Sequence, residues 1–163
     1  MNYKFIIQII LITLVVLFIQ VFIPSFNFYN LVIIPDILII FLTYMGIYYG
    51  RFYVIILGFI IGILQDLITQ VELMGAMAFT KSAIGYGLGT LALYRNIWSL
   101  KSRLLIIFLL YNFHFLIFFF INFRGLPISS SFYFQVVLFH SFLSFIILIV
   151  IDKSFFSSEI TSQ

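Results

Sequence analysis

Long apolar runs separated by short polar breaks dominate the chain, and this pattern predicts membrane-spanning helices. A helix needs about 20 consecutive apolar residues to cross the hydrocarbon core of a bilayer. The first apolar run begins a few residues into the chain. It is too long for the apolar core of a signal peptide, and it lacks the small-residue cleavage site of one. We therefore predict one transmembrane domain, residues 1–163, with helices at about 5–23, 34–49, 52–69, 75–94, 104–123 and 132–151.

The segments between these runs are short. We expect an interfacial loop at residues 26–30, a turn carrying Glu72 at residues 70–74, and a frayed polar tail from Asp152 to Gln163. Pro35 and Asp36 fall in the first turn of the second predicted helix, where a missing N–H is tolerated and an acid suits the positive helix end.

Composition supports the same class. Of the 163 residues, 64% are hydrophobic and 8% are charged, whereas soluble domains carry about 25% charged residues. The fold class is therefore an all-α integral membrane protein, a six-transmembrane-helix bundle. No cysteine is present, which excludes disulfides and thiolate metal sites. The net charge of +3 is explained by loop lysines and arginines, so we expect no nucleic-acid partner.

The positive charges also predict an orientation. With six helices, most Lys and Arg residues fall on one side of the membrane, Arg124 alone lies on the other, and Lys81 lies within a helix. Loops rich in Lys and Arg stay in the cytoplasm. Both termini are therefore expected in the cytoplasm. The cytoplasmic set is Lys4, Arg51, Arg95, Lys101, Arg103 and Lys153.

The third and fourth predicted helices carry most of the small residues and form a helical hairpin. Small residues let helix backbones pack closely in lipid, and their spacing puts them on one face of each helix. We expect a tight contact between the two helices. The residues on these faces are Gly58, Gly62 and Asp66 on the third helix, and Gly75, Ala78, Ser82, Gly85, Gly89 and Ala92 on the fourth.

Asp66 and Lys81 lie at similar distances from the turn of this helical hairpin. At a rise of about 1.5 Å per residue, both sit about 5 to 10 Å below the same membrane surface. We therefore expect Asp66 and Lys81 to pair. Separate surroundings for the two groups, or a cavity dividing their helices, would favour a carrier instead.

Charges within the membrane cost about 2.5 to 3.5 kcal/mol each at its centre, so Asp36, Asp66 and Lys81 need an explanation. One reading is a knot of ion pairs and hydrogen bonds that fixes helix packing. The other is an outward-facing polar pocket for a solute, an ion or a proton. The seam of small residues favours the structural knot.

The histidines, His114 and His140, could form a metal or proton-relay pair on the fifth and sixth helices. Neither belongs to a zinc motif, and no acid is expected beside them. We favour polar packing, through partners such as Asn112, Gln135, Ser141 or Ser144. No catalytic triad or phosphate loop is present, and Gly85–Gly89 lies within a span rather than after a strand. We expect no enzyme activity, no cofactor and no metal.

The stretch GFIIGILQDLI, residues 58–68, followed by a short turn and Gly75, resembles the signature of the MreD family of bacterial rod shape-determining proteins. The preceding IPDILII, residues 34–40, is similar to that family's proline-led second helix. Two departures concern the turn: Thr69-Gln70 stands where the family often has Ser-Gly, and Gly75 comes about one residue late.

This resemblance implies a non-catalytic inner-membrane subunit of the elongation complex. Such a subunit would bind MreC and help connect the MreB cytoskeleton to the peptidoglycan synthases RodA and penicillin-binding protein 2. The residues that we expect to be structural or partner-binding are Pro35, Asp36, Gly58, Gly62, Asp66, Gly75, Lys81, Gly85 and Gly89.

The MreD family is similar in fold to the substrate-binding subunits of energy-coupling-factor vitamin transporters, which supplies the main alternative. A transport subunit would use Asp36, Asp66 and Lys81 in an outer pocket. Those subunits dock through an alanine face on helix one, whereas residues 5–22 contain no alanine or glycine. A small lipid-modifying enzyme is the weakest reading, because no acid or histidine cluster faces a headgroup.

Overall fold

The computed structural model describes residues 3–28, 31–69 and 74–155. Glu72 and most of the expected turn at residues 70–74 lie outside these ranges, as does the expected tail from residue 156 onward. The described residues form six helices and one two-stranded sheet. The helices are α1 Tyr3–Phe22, α2 Ile37–Tyr49, α3 Arg51–Thr69, α4 Ala76–Leu93, α5 Leu100–Asn122 and α6 Ser130–Phe155.

A β-hairpin lies where the sequence predicted an interfacial loop. Strands β1 (Phe26–Phe28) and β2 (Leu31–Ile33) pair antiparallel, with Phe26 opposite Ile33. Successive strand side chains point to opposite faces, so Leu31 and Ile33 are buried while Val32 is exposed. The two buried residues pack with Val136 of α6. The fold is thus helical except for this short hairpin, which covers one end of α5 and α6.

Helix α2 is shorter than expected and lies at the centre of the molecule. It begins at Ile37 rather than near residue 34, so Pro35 precedes the helix instead of occupying its first turn. Its 13 residues extend about 20 Å, less than the roughly 30 Å of a hydrocarbon core. Leu38, Ile39 and Leu42 are fully buried, which explains why α2 is apolar on all sides.

Among the described residues, three helices are long and apolar enough to cross a membrane. They are Arg51–Thr69, Leu100–Asn122 and Ser130–Ser154, while Ile7–Phe22 and Ile37–Tyr49 are shorter apolar helices. The helical membrane class predicted from the sequence is confirmed. Six helices are present in the described residues, as predicted, although α2 is shorter than the predicted span.

The boundaries of α5 and α6 also differ from those predicted. Helix α5 begins four residues early, at Leu100, because the hydroxyl of Ser99 accepts a hydrogen bond from the Ser102 backbone N–H and caps it. Helix α6 continues to Phe155 and includes Asp152, which the sequence assigned to a frayed tail. Asp152 is fully buried and accepts a hydrogen bond from the Tyr44 hydroxyl at 3.3 Å.

Candidate functional site

Asp36 is the point at which most of the helices meet. It is the N-cap of α2, and its Oδ1 accepts a hydrogen bond from the Ile39 backbone N–H at 3.2 Å. Its own backbone N–H donates to Ser144 Oγ of α6 at 3.1 Å. Asp36 is 3% exposed, so these interactions take place away from solvent.

Lys81 of α4 forms an ion pair with Asp36, through Lys81 Nζ and Asp36 Oδ2. Lys81 is fully buried. Taking two charges out of water costs several kcal/mol each, and a buried pair is tolerated when its geometry and further hydrogen bonds compensate. The pair joins α2 to α4 and leaves neither charge facing lipid.

His114 of α5 lies on the other side of the same carboxylate. Its Nε2 is 3.4 Å from Asp36 Oδ2, and the side chain is fully buried. Within the described part of the chain, neither ring nitrogen has a hydrogen-bond partner. The expectation that no acid lies beside the histidines is therefore wrong. The expected polar partners do not contact the His114 ring, which instead lies beside the Asp36–Lys81 ion pair.

Gln20 of α1 holds the backbone on both sides of Asp36. Its Nε2 donates to the Pro35 carbonyl at 3.1 Å, and its Oε1 accepts from the Ile37 N–H at 2.7 Å. Pro35 is buried and has no N–H to satisfy. Helices α1, α2, α4, α5 and α6 thus converge on residues 35–37.

Asp66 does not pair with Lys81, so that expectation is wrong. Its carboxylate accepts hydrogen bonds from the backbone N–H groups of Gly75 at 2.9 Å, Met77 at 3.1 Å and Ala78 at 3.3 Å. These donors belong to the start of α4, where backbone N–H groups have no partner within the helix and the helix dipole is positive. Asp66 is fully buried and is stabilised by amides rather than by a cation.

The conformation of Gly75 explains why the start of α4 is capped by an acid from another helix, α3. It is the N-cap of α4 in a left-handed conformation, with φ of 103°, and it has no side chain with which to cap the helix. A left-handed conformation strains residues that carry a Cβ. Asp66, nine residues earlier, supplies the missing acceptor.

Four of the five glycines predicted to line the contact of α3 with α4 lie in that contact, whereas a Cβ on Gly75 would meet no atom within 4 Å. A Cβ on Gly62 would be 2.3 Å from Ala78 Cα, and one on Gly89 would be 2.3 Å from Arg51 Cα. A Cβ on Gly58 would be 2.7 Å from the Lys81 carbonyl oxygen, and one on Gly85 would be 2.8 Å from that of Val54. Side chains larger than hydrogen are excluded at these positions.

Asp66 and Lys81 therefore face separate surroundings, although no large cavity divides the backbones of α3 and α4. The expected pairing of Asp66 with Lys81 is replaced by a pairing of Asp36 with Lys81. The cluster centres on Asp36, which pairs with Lys81, a member of the predicted charge knot. The contacts of Asp36 with His114 and Ser144 were not predicted.

The alternative reading of His114 and His140 was a metal or proton-relay pair. In residues 3–28, 31–69 and 74–155, no group of three or more His, Cys, Asp or Glu side chains could hold a metal ion. His140 Nδ1 lies 2.8 Å from the carbonyl of Val136 in the preceding turn. Its ring packs against Phe115 and Phe119 of α5.

A cavity of about 530 Å³ lies next to the Asp36 cluster, beneath the β-hairpin. All six helices contribute to its lining, as do residues 32 and 34 at the end of the β-hairpin. Its wall is mostly apolar and includes Phe115, Phe118 and Phe119, with polar groups from Gln20, Asp36, Gln65 and His140.

Gln65, Gln20 and Asp152 were not predicted as site residues. Gln65 precedes Asp66 by one position, and Gln20 is the polar residue nearest to the end of the first apolar run. A polar side chain within an otherwise apolar span is the signal that could have identified them.

The fold and the buried cluster define a polytopic membrane protein whose intramembrane charges bind groups of its own chain. The family model for the rod shape-determining protein MreD matches residues 1–157. The chain therefore belongs to the MreD family, which confirms the resemblance inferred from residues 34–40 and 58–75. Comparisons with curated proteins and with solved structures gave no significant match. Family membership points to a role in determining cell shape.

Proposed function

We propose that this chain is a non-catalytic subunit of the bacterial rod complex that binds MreC. In this role it helps to link the MreB cytoskeleton to peptidoglycan synthesis by RodA and penicillin-binding protein 2. The observation that carries the proposal is the MreD family match over residues 1–157. A scaffold of this kind acts by presenting a rigid surface to its partners.

The packing of the buried charges supports this proposal. Asp36, Asp66 and Lys81 each bind groups of their own chain, and the α3–α4 contact has no room for added side chains. Intramembrane charges that serve transport face a cavity or pathway; Asp36 lines the cavity described above, whereas Asp66 and Lys81 are not among its lining residues. The pairing of Lys81 with Asp36 and the capping role of Asp66 fit a rigid framework better.

We also propose that the protein lies in the inner membrane with both termini in the cytoplasm. The support is the positive-inside rule applied to Arg51, Arg95, Lys101, Arg103 and Lys153. In this orientation the β-hairpin and Arg124 are periplasmic. Cysteine introduced at Ser129 would then react with a membrane-impermeant maleimide in intact cells, whereas cysteine introduced at Ser99 would react only after lysis.

Site-specific photocrosslinking tests the partner assignment. Benzoylphenylalanine replaces one exposed phenylalanine at a time on α1, α3, α4, α5 or α6, in cells of the native host. The expected result is a crosslink to MreC from one face of the bundle, and no crosslink from the buried control position, Phe115. The positions are Phe18, Phe59, Phe79, Phe120 and Phe142.

The contrary result would be equally clear. Recovery of transport ATPases from the same positions, without MreC, would overturn the proposal.

A solute-binding transport subunit is the second candidate, and two observations favour it: the cavity beside Asp36 and the separate surroundings of Asp66 and Lys81. We place it second because the family match names a shape-determining protein and because α1 lacks alanine and glycine. The proposed similarity in fold to energy-coupling-factor substrate-binding subunits belongs to this candidate. Co-purification with a transport ATPase would support it.

A further inference from the structure

The cavity beneath the β-hairpin contains a polar side chain that the fold does not satisfy. Gln65 of α3 is 6% exposed and lines the cavity. Its Oε1 is buried without a hydrogen-bond partner in the part of the chain that the structure describes. Burying an amide oxygen without a hydrogen bond is unfavourable, because the oxygen loses its bonds to water and gains none in return. A group that enters the cavity and bonds to this amide would remove that cost.

His140 presents a second polar group to the same cavity. Its Nδ1 lies 2.8 Å from the Val136 carbonyl oxygen. A carbonyl can only accept a hydrogen bond, so in the neutral ring Nδ1 carries the proton and Nε2 remains an acceptor. His140 is 7% exposed and lines the cavity. The cavity thus offers one carboxamide, which can donate and accept, and one acceptor.

The other residues of the cavity wall indicate the chemical character of the main part of the ligand. Phe115, Phe118 and Phe119 form an aromatic wall, and Leu17 and Met77 add apolar surface. A cavity of about 530 Å³ lies within the range of roughly 300 to 1,000 Å³ that small-molecule sites occupy. An apolar or aromatic body fits this wall.

The electrostatics of the cavity favour an uncharged ligand. Asp36 is the acid in its lining, and the Lys81 ammonium already compensates the Asp36 carboxylate. A charged ligand would lose its hydration without meeting an opposite charge that is free to pair with it.

We propose that this cavity binds a small uncharged molecule with an apolar or aromatic body and an amide or hydroxyl group. The amide or hydroxyl bonds to Gln65 and His140, and the body packs on the aromatic wall. This ligand site goes beyond the shape-determining role, and neither conclusion depends on the other.

Fluorine NMR on the full-length protein in detergent tests the proposal with 4-fluorobenzamide, which has this chemistry. The expected result is saturable line broadening with wild type. The charged analogue 4-fluorobenzoate should bind at least tenfold more weakly. Gln65→Leu, which keeps the volume and removes the amide, should raise the Kd for 4-fluorobenzamide about tenfold. The matched control is Gln135→Leu, at an exposed position on α6, and it should leave the Kd unchanged.

His140→Phe provides a second variant, in case Gln65→Leu lowers the yield of folded protein. It keeps a ring against Phe115 and Phe119 while removing the acceptor, so the Kd should rise several-fold. Absence of saturable binding to wild type, or equal Kd values for wild type and both cavity variants, would overturn the proposal. The proposal would also be overturned if the cavity were occupied only in a complex with another protein. That result would indicate a docking site for a polypeptide segment.

Discussion

Asp36 and Asp66 are both buried acids near the same end of the bundle, and the protein stabilises them in different ways. Asp36 binds the Lys81 ammonium and accepts a hydrogen bond from one backbone N–H, that of Ile39. Asp66 accepts hydrogen bonds from three backbone N–H groups at the start of α4. Asp36 caps its own helix, whereas Asp66 caps the next one.

The difference shows what a buried carboxylate requires. Several amides at a helix start, together with the dipole of that helix, can substitute for a cation. One amide cannot, so Asp36 needs Lys81. The contact of α3 with α4 therefore depends on backbone groups and glycines, while the contact of α2 with α4 depends on a pair of side-chain charges.

The largest expected effect comes from removing the cation of Asp36. Lys81→Met keeps the length of the side chain and leaves the Asp36 carboxylate buried without its partner. We expect the free energy of unfolding to fall by about 4 kcal/mol, measured by denaturant titration in mixed micelles.

The control for this prediction compares the two acids directly. Adding Asp36→Asn to Lys81→Met should restore most of the loss, and adding Asp66→Asn should restore none. Rescue by Asp66→Asn would instead indicate that Lys81 pairs with Asp66, as the sequence analysis expected.

The next effect concerns the glycine contact that brings Asp66 to α4. In Gly62→Ala the new methyl would lie 2.3 Å from Ala78 Cα, a backbone atom that moves only if the helices separate. We expect a loss of about 3 kcal/mol in the free energy of unfolding. The matched control is Gly87→Ala, whose methyl would meet the flexible end of Leu110 and should cost below about 1 kcal/mol. Equal losses would contradict the importance of the backbone contact.

A smaller effect is expected from removing the cap of α4. Asp66→Ala leaves the N–H groups of Gly75, Met77 and Ala78 without their acceptor, at a cost of about 2 kcal/mol. Hydrogen exchange at these three amides should accelerate, while exchange around Lys81 stays unchanged. Asp66→Asn should lose less, because its amide oxygen still accepts hydrogen bonds. Faster exchange throughout α2 would mean that the two acids are coupled.

The smallest effect is expected at the edge of the Asp36 cluster. Thr43 Oγ1 lies 2.8 Å from the Tyr111 hydroxyl, joining α2 to α5. Thr43→Val keeps the shape and removes this bond, which should cost about 1 kcal/mol. Thr90→Val on α4 is the control, because the Thr90 hydroxyl donates to the Tyr86 carbonyl of its own helix and so joins no second helix among the described residues. The two variants should differ in thermal stability, with Thr43→Val the less stable.

The sequence predicted the helical membrane class and the small residues between α3 and α4, because both follow from composition and spacing along one helix. It could not predict which acid meets Lys81. The rise per residue gives the depth of a side chain, but the relative rotation of two helices decides which groups face each other. Lys81 lies on the side of α4 that faces α2, and Asp66 lies at the start of α4.

The β-hairpin was missed for a different reason. Its strands have three residues each, too few for an alternating pattern to be distinguished from a short apolar loop. The hairpin in turn shortens α2 and moves Asp36 from the first turn to the N-cap. The role of Asp152 was hidden by its position in a polar C-terminal segment.

The side chain of Gln20 fixes the longitudinal register between α1 and α2. Its amide nitrogen donates a hydrogen bond to the carbonyl of residue 35, and its amide oxygen accepts one from the N–H of residue 37. The backbone of a paired β-strand would bond to these two residues in the same way. Sliding α1 by one helical turn, about 5.4 Å, would break both bonds at once. These two bonds flank Asp36, so the position of α1 along α2 and the position of the Asp36 carboxylate are set by the same side chain.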